Sequence, residues 1–320
     1  MFDLQELEAA HRLVCSAMSP TAQIAWPLLA QRLGCEVWVK HENHNPIGAF
    51  KLRGGLVWMD HRLKSGGAPR GFITATRGNH GQSLAFAARR AGLPLVICVP
   101  HGNSVEKNAA MRALGAELVE AGHDFEAARD KARQLAAERG LEMIPSFDPL
   151  LVRGVATYAL ELFREAGELD AVYCPIGLGS GLCGIIRTRD LLGLKTEVIG
   201  VVAAGAPAYA LSYEAGKVVP TASSDTLADG MATRKPEPEA LKMILKGAAR
   251  IITVSDEAIA EAIRIYYSDT HNLAEGAGAA ALAALLQERE RQRGRRVGVI
   301  LSGGNIDRSL YLKILAAEES

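Results

Sequence analysis

A surplus of either charge is missing from this chain: 36 basic side chains balance 36 acidic ones over 320 residues. No bulk field therefore recruits nucleic acid or an anionic membrane. Cysteine is sparse too. Its five residues (Cys15, Cys35, Cys98, Cys174 and Cys183) are odd in number and lack Cys-x-x-Cys spacing. That excludes a disulfide framework and reads as the reduced thiols of a cytoplasmic protein. No uninterrupted apolar stretch is long enough to span a bilayer, and the first seven residues carry acids where a signal peptide needs bases. Aromatics amount to only 5% against 48% hydrophobic residues, with 32 glycines. Such a mix suits close-packed α/β layers rather than a β-sandwich. The one concentrated charge run, Arg289-Glu290-Arg291-Gln292-Arg293-Gly294-Arg295-Arg296, reads as a solvated helix end, with a partner surface as the alternative.

What is present is an alternation of short β-rich runs with amphipathic stretches, the pattern of a parallel sheet covered by helices. Strands are expected at 36–40, 71–75, 95–99, 116–119, 171–174, 197–202 and 297–301. Helices are expected at 80–91, 106–114, 124–138, 154–166, 256–269 and 276–290, where apolar residues recur three and four apart. The Ala-rich start of the last helix, Gly276-Ala277-Gly278-Ala279-Ala280-Ala281, reads as close packing against a neighbour. Residues 68–147 form a run of strand–helix units with their own Pro/Gly punctuation. They are expected to be a small, mobile domain inserted in a larger one made of 1–67 and 148–320.

Four segments carry candidate chemistry. Lys51 lies in Pro46-Ile47-Gly48-Ala49-Phe50-Lys51-Leu52-Arg53-Gly54-Gly55. A lysine amine condenses with an aldehyde only when partly neutral, which burial favours; taken alone, this lysine reads first as a surface residue in a loop. Gly177-Leu178-Gly179-Ser180-Gly181 follows an apolar run and precedes a helix expected from Leu182. Strand, glycine turn and helix together can hold a phosphate on backbone N–H groups; a plain tight turn is the alternative. A dinucleotide site fits poorly, because the third glycine comes too early and no acid ends the next strand. Thr76-Arg77-Gly78-Asn79-His80-Gly81-Gln82 sits at a helix N-terminus suited to a carboxylate, or is an ordinary cap. Ser302-Gly303-Gly304-Asn305 lies past a strand end, where open parallel sheets place ligands.

Together these segments, with Leu227-Ala228-Asp229-Gly230-Met231-Ala232 and Glu275-Gly276-Ala277-Gly278-Ala279-Ala280, resemble the fold-type II pyridoxal-phosphate enzymes, specifically the serine/threonine dehydratase branch. The resemblance spans nearly the whole chain. It implies an α/β fold of two open, twisted, mostly parallel sheets covered by helices, like the tryptophan synthase β chain, and a homodimer. It implies that Lys51 is the Schiff-base lysine, that Phe50 packs on the cofactor, and that Asn79 bonds its ring hydroxyl. Gly177, Leu178, Gly179, Ser180 and Gly181 would take the phosphate. Ser302 would face the pyridine nitrogen, and Glu275 and Gly303 would also bind the cofactor. Thr76, Arg77, Gly78, Asn79 and His80 would contact the substrate, chiefly its carboxylate. A hydroxyl at Ser302 makes the ring a weaker electron sink than an acid would, which points to β-elimination rather than transamination.

The chain also departs from the family pattern. Arg77 stands where racemases carry a proton-donating serine, and arginine keeps its proton, so racemisation is not expected. Val202, Ala206 and Ala208 offer no side-chain oxygen where metal-binding members hold a cation, so no metal is expected there. Leu178 and Ser180 replace glycines common in the phosphate turn. Histidine at His80 matches dehydratases rather than cysteine synthases, and the short tail after Ser302 leaves no room for an isoleucine-sensing domain. The expected activity is dehydration and deamination of L-threonine or L-serine. The alternatives are another 3-hydroxy amino acid, such as 3-hydroxyaspartate or phenylserine (Arg77 could reach a second carboxylate), a non-catalytic ligand-binding homologue, or, more remotely, a nucleotide-binding dehydrogenase.

Overall fold

A computed structural model describes residues 2–67 and 69–317; the expected domain boundary at residue 68 lies outside the described residues. Ten strands form two sheets. The larger has six: β1 (Gln23–Ala25), β2 (Glu36–His41), β7 (Ala171–Pro175), β8 (Glu197–Ala203), β9 (Arg250–Val254) and β10 (Arg296–Leu301), ordered β1-β2-β10-β7-β8-β9. All its pairs are parallel except the β1–β2 edge. The smaller comprises β3 (Phe72–Ala75), β4 (Leu95–Val99), β5 (Glu117–Glu120) and β6 (Glu142–Met143), ordered β5-β4-β3-β6 and parallel throughout. The expected α/β class and paired sheets are therefore present.

Burial explains the strand sequences. Every residue of β4 and of β7 is buried, as a parallel strand covered on both faces requires. The smaller sheet packs one face on the helix Phe125–Arg139 through Ile73, Val96, Ala128 and Ala132. Its other face meets the helices Lys51–Lys64 and Asn79–Ala91 through Phe72, Ile97, Leu52, Val57 and Leu84. In the larger core, the helix Gly276–Gln287 is buried from Gly276 to Leu285. A Cβ on Gly278 would stand 2.2 Å from the Gly303 carbonyl oxygen, so the small side chains let this helix press on the turn after β10.

Local signals set several helix starts. Asp148 caps the helix Pro149–Ala166 by accepting from the Leu150 amide, and Pro149 occupies the first position, which its fixed φ favours. That helix begins five residues before the expected start at Gly154. Other departures are the strands β1, β6 and β9 and the helices Leu4–Cys15, Pro27–Leu33, Lys51–Lys64, Ala208–Ala215, Pro238–Gly247 and Arg308–Ala316, which sequence patterning did not reveal. The charged run 289–296 lies beyond the end of the helix Gly276–Gln287, in turns that lead into β10, and is tied to the sheet by Arg296–Glu36 and Arg295–Glu197 ion pairs. Among the described residues, no helix is long and apolar enough to cross a membrane.

Candidate active site

Three of the four candidate segments follow the C-terminal ends of parallel strands: 76–82 after β3, 177–181 after β7 and 302–305 after β10. There, outward-pointing helix N-termini meet a crevice. The fourth is brought to them by the loop after β2. Asn45 folds that loop: its Oδ1 accepts from the amides of Ile47 and Ala49, and its Nδ2 donates to the carbonyls of Glu42 and Ala49. Gly48 turns the chain at φ +66°, where a Cβ would strike Asn305 Oδ1. Phe50 N–H then donates to the Ser302 carbonyl, and Gly304 N–H to that of Gly48. The lysine loop and the 302–305 turn are thus laced together.

Lys51 is the first residue of its helix rather than part of a surface loop. The glycines serve packing instead. A Cβ on Gly54 would lie 2.9 Å from the Leu151 carbonyl, and one on Gly55 would strike Ser83. Arg53, fully buried, anchors this helix to Glu42 at 2.8 Å and to Glu161 at 2.7 Å, while Lys40 holds Glu161 at 2.6 Å. Two cations and two anions balance, which keeps so dry a cluster tolerable. Burial lowers the Lys51 amine to about 8, with only the Cys174 thiol opposing it. Among the described residues no carboxylate pairs with that amine. It lies 4.9 Å from the centre of the Phe50 ring and donates to Ser180 Oγ at 3.2 Å.

The 177–181 turn enters the helix Ser180–Leu191 with Gly179 at φ +97°, a conformation that favours glycine. A Cβ on Gly177 would lie 2.3 Å from the Gly230 carbonyl, which accounts for that residue. The Leu178 carbonyl accepts from Tyr209 Oη at 2.8 Å. Helix-start amides at Ser180 and Gly181 have no acceptor inside the helix, so they remain available to an anion. The turn after β3 works similarly through the first-turn amides of Asn79 and His80. There Thr76, buried, uses its hydroxyl to accept from the Gly78 N–H at 3.0 Å, which commits that donor.

A chain of polar side chains joins the two sheets' turns. Asn305 Nδ2 donates to Asn79 Oδ1 at 2.9 Å, and Asn79 Nδ2 donates to Glu275 Oε1 at 2.6 Å. Lys107 Nζ lies 3.1 Å from the other Glu275 oxygen and 2.6 Å from Asp229 Oδ2. Burial raises the Glu275 carboxyl against the pull of Lys107. Lys107, Asp229 and Asn305 were not expected as site residues. The last two lie in quoted segments, whereas Lys107 gave no sequence signal. Its stem occupies the space a Cβ on Gly78 would need, 2.4 Å from Cδ. His80 Nε2 is buried without a partner, and burial drops this imidazole to about 3, aided by Lys51. Arg77 is exposed and forms no hydrogen bond or ion pair among the described residues; it is the one candidate not drawn into the site. Ser302 is buried beside Gly303, whose Cβ position is filled by Glu275 Oε1.

A half-buried, partly neutral lysine, an anion-ready glycine turn and the unpartnered His80 Nε2 suit an aldehyde-bearing, phosphorylated cofactor. The fold and site define a pyridoxal-phosphate enzyme. The chain belongs to the family of pyridoxal-phosphate dependent enzymes, whose pattern matches residues 14–303, and within it to the ammonia-lyase/dehydratase branch of fold type II. It is 37% identical over 279 residues to an L-threonine ammonia-lyase of Geobacter sulfurreducens, covering 87% of this chain and 69% of that one. An L-threo-3-hydroxyaspartate ammonia-lyase of Saccharomyces cerevisiae is 30% identical, covering 98% and 96%. The crystal structure of a T.th. threonine deaminase superposes with a TM-score of 0.89 at 33% identity, covering 96% of this chain and 99% of the other. The family's chemistry is elimination and racemisation of amino acids.

Proposed function

We propose that this enzyme eliminates water from a 3-hydroxy amino acid, L-threonine or L-serine in first place, and releases a 2-oxo acid and ammonia. The observation that carries the reading is the enclosed Lys51 amine, shifted to about 8 and free of any carboxylate partner. When bound, pyridoxal phosphate supplies an aldehyde for covalent attachment of an amine and a ring that draws electrons from Cα. Lys51 is its attachment point, with Phe50 against its stem. Freed from the cofactor by the substrate amine, Lys51 would take the Cα proton, since its lowered proton affinity keeps a useful share neutral. The first-turn amides of Asn79 and His80 orient the substrate carboxylate, as a helix N-terminus favours. Residues 177–181 would hold the phosphate, Asn79, bonded to Glu275, would meet the ring hydroxyl, and Ser302 would meet the ring nitrogen. A hydroxyl there leaves that nitrogen unprotonated, which favours prompt departure of the β-hydroxyl as water. The enamine then hydrolyses.

A second carboxylate on the substrate, as in 3-hydroxyaspartate, is the competing reading, and the S. cerevisiae relative supports it. Two observations weigh against it. Arg77 is exposed, and Lys107, the cation beside Asn79 and Glu275, is already paired with Asp229 and Glu275. The test is ammonia release from L-threonine, L-serine and L-threo-3-hydroxyaspartate by the holoenzyme and by Lys51→Ala. Release from the first two, with loss of the visible cofactor band in Lys51→Ala, is expected. Silence on both, with turnover of the diacid, transfers the assignment to the second reading.

A further inference from the structure

Among the described residues, Lys51 Nζ makes one hydrogen bond, to Ser180 Oγ at 3.2 Å. Two other titratable groups lie near the amine, the His80 imidazole and the Cys174 thiol, and burial keeps both neutral. The neighbouring Cys174 thiol is pushed up to about 12 by burial and so stays neutral, Phe50 covers one side, and the Tyr158 hydroxyl is spent on the Gly181 carbonyl at 3.0 Å. Ser180 itself is 3% exposed and is the first residue of its helix, directly after the left-handed Gly179. Its side chain therefore has little freedom to turn away. A glycine here, the commoner residue in the family pattern, would still present the backbone amide to a phosphate but would leave the lysine with no polar contact.

We propose that Ser180 is a positioning residue for Lys51: its hydroxyl accepts from the free amine and fixes where that amine rests while not bonded to cofactor. This rests on the reading of Lys51 given above. A hydroxyl has one donor and two acceptor sites. While it accepts from Lys51 it keeps its own proton for an anion held by the 177–181 turn, so one side chain links the amine to the phosphate site. An acceptor facing a buried ammonium stabilises the charged form and partly opposes desolvation. Ser180 thereby moderates how easily Lys51 loses its proton, in addition to placing it.

The experiment uses cofactor-free protein, so activity does not enter. Acetic anhydride labelling of Lys51 is followed across pH by peptide mass spectrometry, with the exposed Lys64 as internal reference. Removing the hydroxyl in Ser180→Ala should move the Lys51 labelling midpoint to lower pH by about one unit, roughly tenfold more neutral amine at a given pH. Ser180→Gly should do the same, and Ser180→Thr should keep the wild-type midpoint. In parallel, Ser180→Ala should release pyridoxal phosphate faster than Ser180→Thr. An unchanged midpoint in both Ala and Gly variants overturns the proposal, as does a Thr variant shifted as far as Ala. Failure of the underlying lysine assignment would look different: the visible band would survive Lys51→Ala whatever stands at position 180.

Discussion

Replacing Lys107 by methionine tests the polar chain that crosses between the two sheets. Lys107 is 6% exposed, and it faces Glu275, 2% exposed, and Asp229, whose side chain is 34% exposed. The Asp229 pair is wet enough to be worth no more than about 1 kcal/mol. Glu275 decides the outcome. Stripping one partner from a buried ion pair costs about 3–5 kcal/mol when the remaining charge stays, but a carboxylate can escape by taking a proton. Its carboxyl is already raised by burial and held down mainly by Lys107, so the substitution raises it further. A group with a raised folded-state pKa adds stability below its unfolded value, and that stability is lost as pH rises through the folded value. Lys107→Met should therefore be destabilised by about 3 kcal/mol at pH 8 and by less at pH 5.5, because falling pH favours the neutral carboxyl of Glu275. Urea unfolding of the cofactor-free protein at the two pH values measures both. The double variant Lys107→Met/Glu275→Gln leaves no buried charge unpaired and should regain about 2 kcal/mol over Lys107→Met at pH 8. A loss that is the same at both pH values, or double-variant costs that simply add, would refute this account.

Two histidines should set the acid limit of stability. Burial lowers His41 to about 4 and His80 to about 3, and His41 Nε2 accepts from Trp26 Nε1 at 2.9 Å, which needs it unprotonated. A depressed histidine contributes stability above its unfolded value near 6.5 that is lost as pH falls towards the folded one, so each should remove about 2 kcal/mol between pH 7.5 and 5; His41→Asn and His80→Gln should each flatten that limb in a thermal-melt series. Gly177→Ala should lower pyridoxal-phosphate affinity at least tenfold by equilibrium dialysis, because its Cβ would stand 2.3 Å from the Gly230 carbonyl and force the turn open; wild-type affinity would show that the turn yields without cost.

How much of this was legible in the chain depends on where each element's stabilisation comes from. β4 and β7 are buried along their whole length, so their apolar runs announce them. By contrast β9, at the edge of its sheet, is mostly half-exposed and begins on Arg250, which pairs with Glu197 and Glu288; no period survives there. β1 and β6 have three and two residues, too few for any pattern. The helix Lys51–Lys64 was hidden by Gly54 and Gly55, which local propensity counts against a helix. Tertiary packing overrides that penalty, because only glycines admit Leu151 and Ser83 so close.

The site divides along the same line. Segments with an unusual local need were readable: Gly48 and Gly179 for left-handed backbone, and residues 76–82 and 302–305 for turns at strand ends. Lys107 has no such need. It is an ordinary residue in the first turn of the helix Val105–Ala113, and its importance comes from Asp229 and Glu275, which meet it only once both sheets are assembled. Ser180 is intermediate, since its departure from glycine was visible while its contact with Lys51 was not. A residue whose role comes from its own backbone shows in the sequence, and one whose role comes from distant charges shows only in the fold. The loop bearing Lys51 depends on both. Asn45 folds it locally, whereas Ser302 and Asn305 hold it from the other end of the chain, so a fault in either should displace the amine.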